Sequence, residues 1–73
     1  MQNFTIERIL DLKKDQGRIM CLIKLSGFEE LDNTWEPLVS IYKDAPNLVA
    51  EFLEGSSLER RLVARAKKVL KMR

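Results

Sequence analysis

The run Arg18-Ile19-Met20-Cys21-Leu22-Ile23-Lys24-Leu25 is apolar almost throughout and sets the architecture of the chain. Such a run, broken at Ser26-Gly27, predicts a β-strand covered on both faces. On its N-terminal side, Lys13-Lys14-Asp15-Gln16-Gly17 is polar and ends in glycine, the composition of a hairpin connection. Before that connection, Phe4 to Leu12 mixes two alternations. Phe4 and Ile6 share one parity, Leu10 and Leu12 share it too, and Ile9 breaks it. The break predicts a first strand with a bulge or a strong twist near Arg8. On the C-terminal side, Phe28-Glu29-Glu30-Leu31-Asp32 makes an acidic loop, and Asn33-Thr34-Trp35-Glu36 gives a short third strand that Pro37 terminates.

Past Pro37 the period changes. Pro46 to Gly55 has proline near its first turn, apolar Leu48, Val49, Phe52 and Leu53 at helical spacing, and glycine at the stop, which predicts a short amphipathic helix. Its apolar face is expected to pack across the sheet, because a small sheet needs one face covered to be stable. Ser56-Ser57-Leu58-Glu59 then opens a second helix, with Ser56 and Glu59 spaced as a capping box. Leu58, Leu62, Ala66, Val69 and Leu70 trace a narrow stripe on it, and basic residues occupy the rest.

Composition limits what this chain can do. Its 73 residues make one domain, and a domain of that size buries only about 60% of its unfolded surface. Hydrophobic residues at 45% and charged residues at 33% place it in the soluble globular class, and no apolar run approaches the roughly 20 residues of a membrane span. The first five residues have neither a charged leader nor an apolar core, so no secretory signal is expected. Cys21 is the single cysteine and histidine is absent, which removes the usual parts of a metal site or a Cys/His nucleophile. No Gly-x-Ser-x-Gly elbow and no phosphate-cradling glycine loop is present either. The expectation is a non-enzymatic chain with no cofactor, no metal and no membrane partner. Charge is divided along it: residues 1–55 carry six basic against ten acidic side chains, a net of −4, and residues 56–73 carry seven basic side chains against Glu59 alone, a net of +6. An acidic body and a basic tail imply two electrostatic partners, or mutual neutralisation.

Phe4-Thr5-Ile6-Glu7-Arg8-Ile9-Leu10-Asp11, Gly17, Leu22-Ile23-Lys24, Gly27-Phe28, Asp32-Asn33-Thr34-Trp35-Glu36-Pro37 and Leu48-Val49-Ala50-Glu51-Phe52-Leu53 follow one another in the order of the chromodomain signature, which the chain resembles over residues 4–54. The resemblance implies an α+β fold, a curved three-stranded antiparallel sheet packed by a C-terminal helix. Residues 3–55 would form the chromodomain and residues 56–73 an additional basic amphipathic helix. It also implies a function, the capture of an extended histone tail, methylated or unmodified, by strand addition. The gripping segments would be Asn3 to Ile6 and Glu36 to Ile41, with Asn3, Thr5, Ile6, Glu36, Leu38 and Ser40 in the groove. Trp35, by its motif position, would be core.

The same resemblance puts the methyl-lysine cage at Phe4, Leu25 and Phe28, with Asp32 as the nearby acid. Where the family has tryptophan, this chain has Leu25, which offers no quadrupole to a quaternary ammonium. Each such contact is worth roughly 0.5 to 2 kcal/mol, so the cage is degenerate. Localisation would be nuclear. Divergent cages and basic tails also occur in chromodomains fused to integrases of long-terminal-repeat retroelements, which Tyr42 to Leu48 weakly resembles. Two alternatives come from the basic helix. One is a nucleic-acid tether, to DNA or RNA, through Arg60, Arg61, Arg65, Lys67, Lys68 and Lys71. The other is a self-association module in which Leu58, Leu62 and Val69 pair two chains, so that the chain is a monomer or a weak homodimer.

Overall fold

The computed structural model describes residues 5–55 and 57–72. Asn3 and Phe4 of the expected groove and cage, and Ser56 of the expected capping box, lie outside those residues. Strands β1 (Ile6–Asp15) and β2 (Arg18–Leu25) form an antiparallel hairpin, and β3 (Thr34–Pro37) adds to β2, in the order β1-β2-β3. The α+β architecture expected from the sequence is present.

The hairpin turn is shorter than the polar segment suggests. Lys13, Lys14 and Asp15 pair with Met20, Ile19 and Arg18, which leaves Gln16-Gly17 as the connection. Both turn residues have positive φ, 51° at Gln16 and 80° at Gly17, the pattern of a two-residue turn whose twist matches the strands. Register shifts fall between Ile6 and Arg8 and between Ile9 and Asp11, so the parity break in the sequence corresponds to two irregularities in β1. They allow Ile9 and Leu12 both to reach the core although their spacing is three.

Pleating gives β2 two different faces. Ile19, Cys21 and Ile23 are buried, whereas Met20, Leu22 and Lys24 are only half-buried, so the expected cover on both faces is complete on one. Register explains a second departure. Trp35 lies opposite Leu22 and shares its outer face, where it is half-buried outside the core with the Lys13 ammonium 4.3 Å from its ring centroid. Thr34 and Glu36, opposite Ile23 and Cys21, take the inner positions instead.

Helix α1 (Leu38–Asp44) starts at Pro37, which has extended backbone and serves as its N-cap residue. Leu38 and Ile41 enter the core from it. Helix α2 (Pro46–Gly55) has the bounds expected from its proline and glycine, with Val49 and Leu53 buried and Leu48 and Phe52 packed beside them. Helix α3 (Arg60–Val69) is capped by Glu59, whose carboxylate accepts from the Arg61 and Leu62 N–H groups at 2.8 and 3.1 Å. The cap is thus one carboxylate serving two amides. Its C-terminus closes with Lys71 at φ 60°, the Lys71 N–H donating to the Lys68 carbonyl and the Met72 N–H to the Lys67 carbonyl. Ala66 is fully buried, and Leu58, Leu62, Val63, Leu70 and Met72 pack against the same core. The basic helix is docked on the body.

Candidate functional site

An open furrow of about 340 Å³ lies across one end of the sheet. Its floor is Ile6, Ile23 and Leu25, brought together because Ile6 pairs with Leu25 and Ile23 precedes Leu25 by one pleat on the inner face. One wall is Thr34 and Glu36 of β3, on that inner face by register, and the other is Ser40, Ile41 and Asp44 of α1. Ser40 and Asp44 are one helical turn apart, which places both at the rim. The furrow therefore has an apolar floor, two hydroxyls and two carboxylates, and no cation lines it among the described residues. β3 has β2 as its one strand neighbour, so its other edge is open among the described residues. An apolar trough beside unpaired main-chain groups suits an extended chain with basic side chains.

A loop beside the furrow is cinched by one half-buried lysine. Lys24 leaves the outer face, with its side chain only 11% exposed, and its ammonium donates to the Phe28 carbonyl at 2.6 Å, the Leu25 carbonyl at 3.0 Å and Glu7 Oε1 at 3.2 Å. With the Phe28 N–H donating to the Leu25 carbonyl, these bonds fold the chain back at Gly27, whose φ is 83°. Phe28 is left 39% exposed. The Ser26 N–H donates to the Thr5 carbonyl at 2.9 Å and ties the start of the chain to this loop. A short 3-10 turn (Glu30–Asp32) completes the loop, and Asp32 Oδ2 accepts from the Glu29 N–H at 3.2 Å as part of a reciprocal cap. Glu30 bridges Asn33 Nδ2 at 2.8 Å and Arg8 at 3.4 Å. The hydrogen bond from Asn33, with the charges of Arg8 and Lys24, holds its carboxyl below the usual range.

Of the residues singled out in the sequence, Ile6, Leu25, Glu36 and Ser40 meet in the furrow. Phe28 and Asp32 sit in the adjoining loop, and Thr5 is exposed beside it. Leu38 does not belong to a groove surface: it is 0% exposed, because the helix that begins there turns its first side chain into the core. Ile41 closes the second gripping segment expected from the sequence, whereas sequence reasoning missed Ile23, Thr34 and Asp44. The first two could have been found by stepping one pleat from Leu25 and Glu36, and Asp44 needed α1, which has no strong start or stop signal. Cys21 lies beside its cross-strand partner Glu36, fully buried, and is no nucleophile. Burial first, then the Glu36 charge, pushes its thiol up to about 12. On α3, Arg60, Arg61, Arg65, Lys68 and Lys71 are exposed and Lys67 is half-buried.

Residues 4–54 match the profile of the Chromo (chromatin organisation modifier) domain. A histone-lysine N-methyltransferase of Danio rerio is 38% identical over 50 residues, which cover 68% of this chain and 12% of that protein. M-phase phosphoprotein 8 of Homo sapiens is 33% identical over 49 residues, 67% of this chain and 6% of that one. A histone-lysine N-methyltransferase of Gallus gallus is 32% identical over 71 residues, 94% of this chain and 17% of that protein. A match that leaves out so few residues runs through α3, whereas the two shorter ones need not reach it. The chain spans a small fraction of the length of each of these relatives.

Proposed function

The chain belongs to the Chromo (chromatin organisation modifier) domain family, and from that membership we propose that it is a nuclear, non-enzymatic reader that captures an extended histone-tail segment in the furrow. The observation that carries this is the furrow itself, an apolar trough beside the open edge of β3 with Glu36 and Asp44 at its walls. A Lys- and Arg-rich tail laid there as an added strand gains main-chain hydrogen bonds from the sheet edge and Coulomb attraction from the two carboxylates. The net charge of −4 over residues 1–55 favours the same partner at long range.

Methyl-lysine discrimination is weak in this reading. Leu25 takes the position of the cage tryptophan and forms part of the furrow floor, so a quaternary ammonium there meets an aliphatic surface. Phe28 is the aromatic cage position among the described residues, and Phe4 is the other one in the sequence. Residues 3–55 hold the reader, and residues 56–73 the appended basic helix. The chain acts as a monomer or a weak homodimer: Leu58 and Leu62 of the expected pairing stripe are packed on its own core, which favours the monomer, and Val69 is left exposed.

Isothermal titration with unmodified and trimethyl-lysine tail peptides tests the proposal. Both are expected to bind within about tenfold of one another, a difference of about 1.4 kcal/mol. Replacing Glu36 by Gln and Asp44 by Asn together should weaken both. Absence of heat with every tail peptide would remove the reading.

A further inference from the structure

We infer that a second site, at the opposite end of the β1–β2 hairpin from Ile6 and Leu25 of the furrow, binds the phosphate backbone of duplex nucleic acid in the cleft between that hairpin and α3. This inference does not depend on tail capture. The cleft has a volume of about 560 Å³ and is lined by Lys14, Glu59, Arg61, Leu62 and Arg65. It is built from two elements. Lys14 follows Leu12 on the inner face of β1, opposite Ile19, and so stands where the core row runs out beneath α3. Leu62 and Ala66 seat α3 on that core, and Arg61 and Arg65, four residues apart, flank the seated face and come to the cleft beside Lys14.

Three cations thus converge, and little cancels them. Glu59 is the single acid at the cleft, and both its carboxylate oxygens are engaged by the α3 amides. Among the described residues the ion pairs are Arg8–Glu30 and Lys24–Glu7, neither of which involves Lys14 or α3. Among the described residues no ion pair joins the ten carboxylates of residues 1–55 to the basic side chains of α3. From the cleft, Lys68 continues the line of Arg61 and Arg65, while Arg60 and Lys67 run along the other flank and Lys71 follows the end of the helix. Because α3 is already fixed by Ala66 and its neighbours, these charges are held in place before any ligand arrives.

The chemistry selects the occupant. Residues 60–69 contain no aromatic side chain on which single-stranded bases could stack, and no Asn or Gln for a bidentate contact to adenine. Arg and Lys alone read phosphate, independently of sequence. The experiment is fluorescence anisotropy of the full chain with mixed-sequence DNA and RNA duplexes of about 20 base pairs, from about 50 to 200 mM salt. Binding to either duplex is expected, steeply weakened by salt. The triple variant Lys14→Ala/Arg61→Ala/Arg65→Ala should bind at least tenfold more weakly at low salt and flatten the log–log salt slope by about 2.7, at about 0.9 per phosphate contact. Lys14→Ala alone should weaken binding severalfold, and Lys43→Ala, on α1, should not change it. An unchanged melting temperature of each variant shows that the fold survives. The inference is overturned if neither duplex binds at low salt, if Lys14→Ala binds as the unaltered chain does, or if polyglutamate displaces DNA at equal charge concentration. A concentration-dependent dimer that the triple variant abolishes would also overturn it, by assigning the cleft to a second copy's acidic body.

Discussion

Under the proposed reading, Leu25 is the side chain that separates capture of a tail from recognition of its methylation. Its methyl groups contribute to the furrow floor and pack against the core, but they present no ring face. Leu25→Trp should therefore raise the preference for trimethylated over unmodified tail by about tenfold, the worth of one desolvated cation–π contact. Titration of both peptides measures it, and an unchanged ratio would show that the missing tryptophan does not limit discrimination. The larger ring must also be fitted beside Ile6 and Ile23, so a melting temperature is needed with it. Cys21 gives a prediction of a different kind. Its thiol is raised to about 12 in the folded chain from an ordinary 9.0, so the unfolded chain loses its proton first as pH rises. Stability linked to this group is complete below about pH 9 and declines above it, by about 1.4 kcal/mol at pH 10. Urea unfolding at pH 8 and pH 10 should show that loss, and Cys21→Ala should remove it. Leu25, Glu36 and Ser40, singled out in the sequence by the chromodomain resemblance, come together at the furrow. Trp35 and Leu38 were misread for physical reasons, since the pleat turns Trp35 outward and the unforeseen start of α1 turns Leu38 inward.

The elements differ in how plainly the sequence announces them. β2 and α2 carry their own boundaries, a glycine after a long apolar run in one and a proline and a glycine around a helical stripe in the other. α1 lacks both signals and follows Pro37 because the chain must leave the sheet there. The opening of α3 is similar: its cap is Glu59, one turn later than the Ser56 start suggested by the capping-box spacing. The hairpin shows what such local chemistry is worth. Gln16 adopts φ 51°, a left-handed conformation that costs a non-glycine residue roughly 1 to 2 kcal/mol. Asparagine visits that region more readily, and Asn-Gly is the favoured pair for this turn. Gln16→Asn should stabilise the chain by about 0.5 to 1 kcal/mol, read as a rise in the urea midpoint with no change in slope. A fall would mean that the Gln16 side chain contributes something the turn geometry does not reveal.

Charge and packing divide the molecule at different places. Net charge reverses between residues 55 and 56, yet the core does not end there, because Ala66 is among its fully buried members and five apolar neighbours from residues 58–72 press on the same cluster. The profile match over residues 4–54 therefore covers less than the packed body. A chain this small has little stability to spare, on the order of 5 kcal/mol. Deleting Leu58, Leu62, Val63 and Leu70 and uncovering the side of the core beneath Ala66 removes apolar contacts worth up to about 1 kcal/mol for each side chain. Truncation after Gly55 should thus cost about 3 to 4 kcal/mol, a drop of more than about 12 °C in Tm at 4 to 8 °C per kcal/mol. Such a truncated chain should bind tail peptide weakly at 37 °C and recover on cooling, because the furrow residues all lie before the cut and only the population of the folded state has changed. Calorimetric melting of the two chains, followed by peptide titration at 10 and 37 °C, separates stability from recognition. An unaltered Tm would show that α3 rests on the body without supporting it, and lost binding at both temperatures with an unaltered Tm would assign α3 a part in the furrow itself.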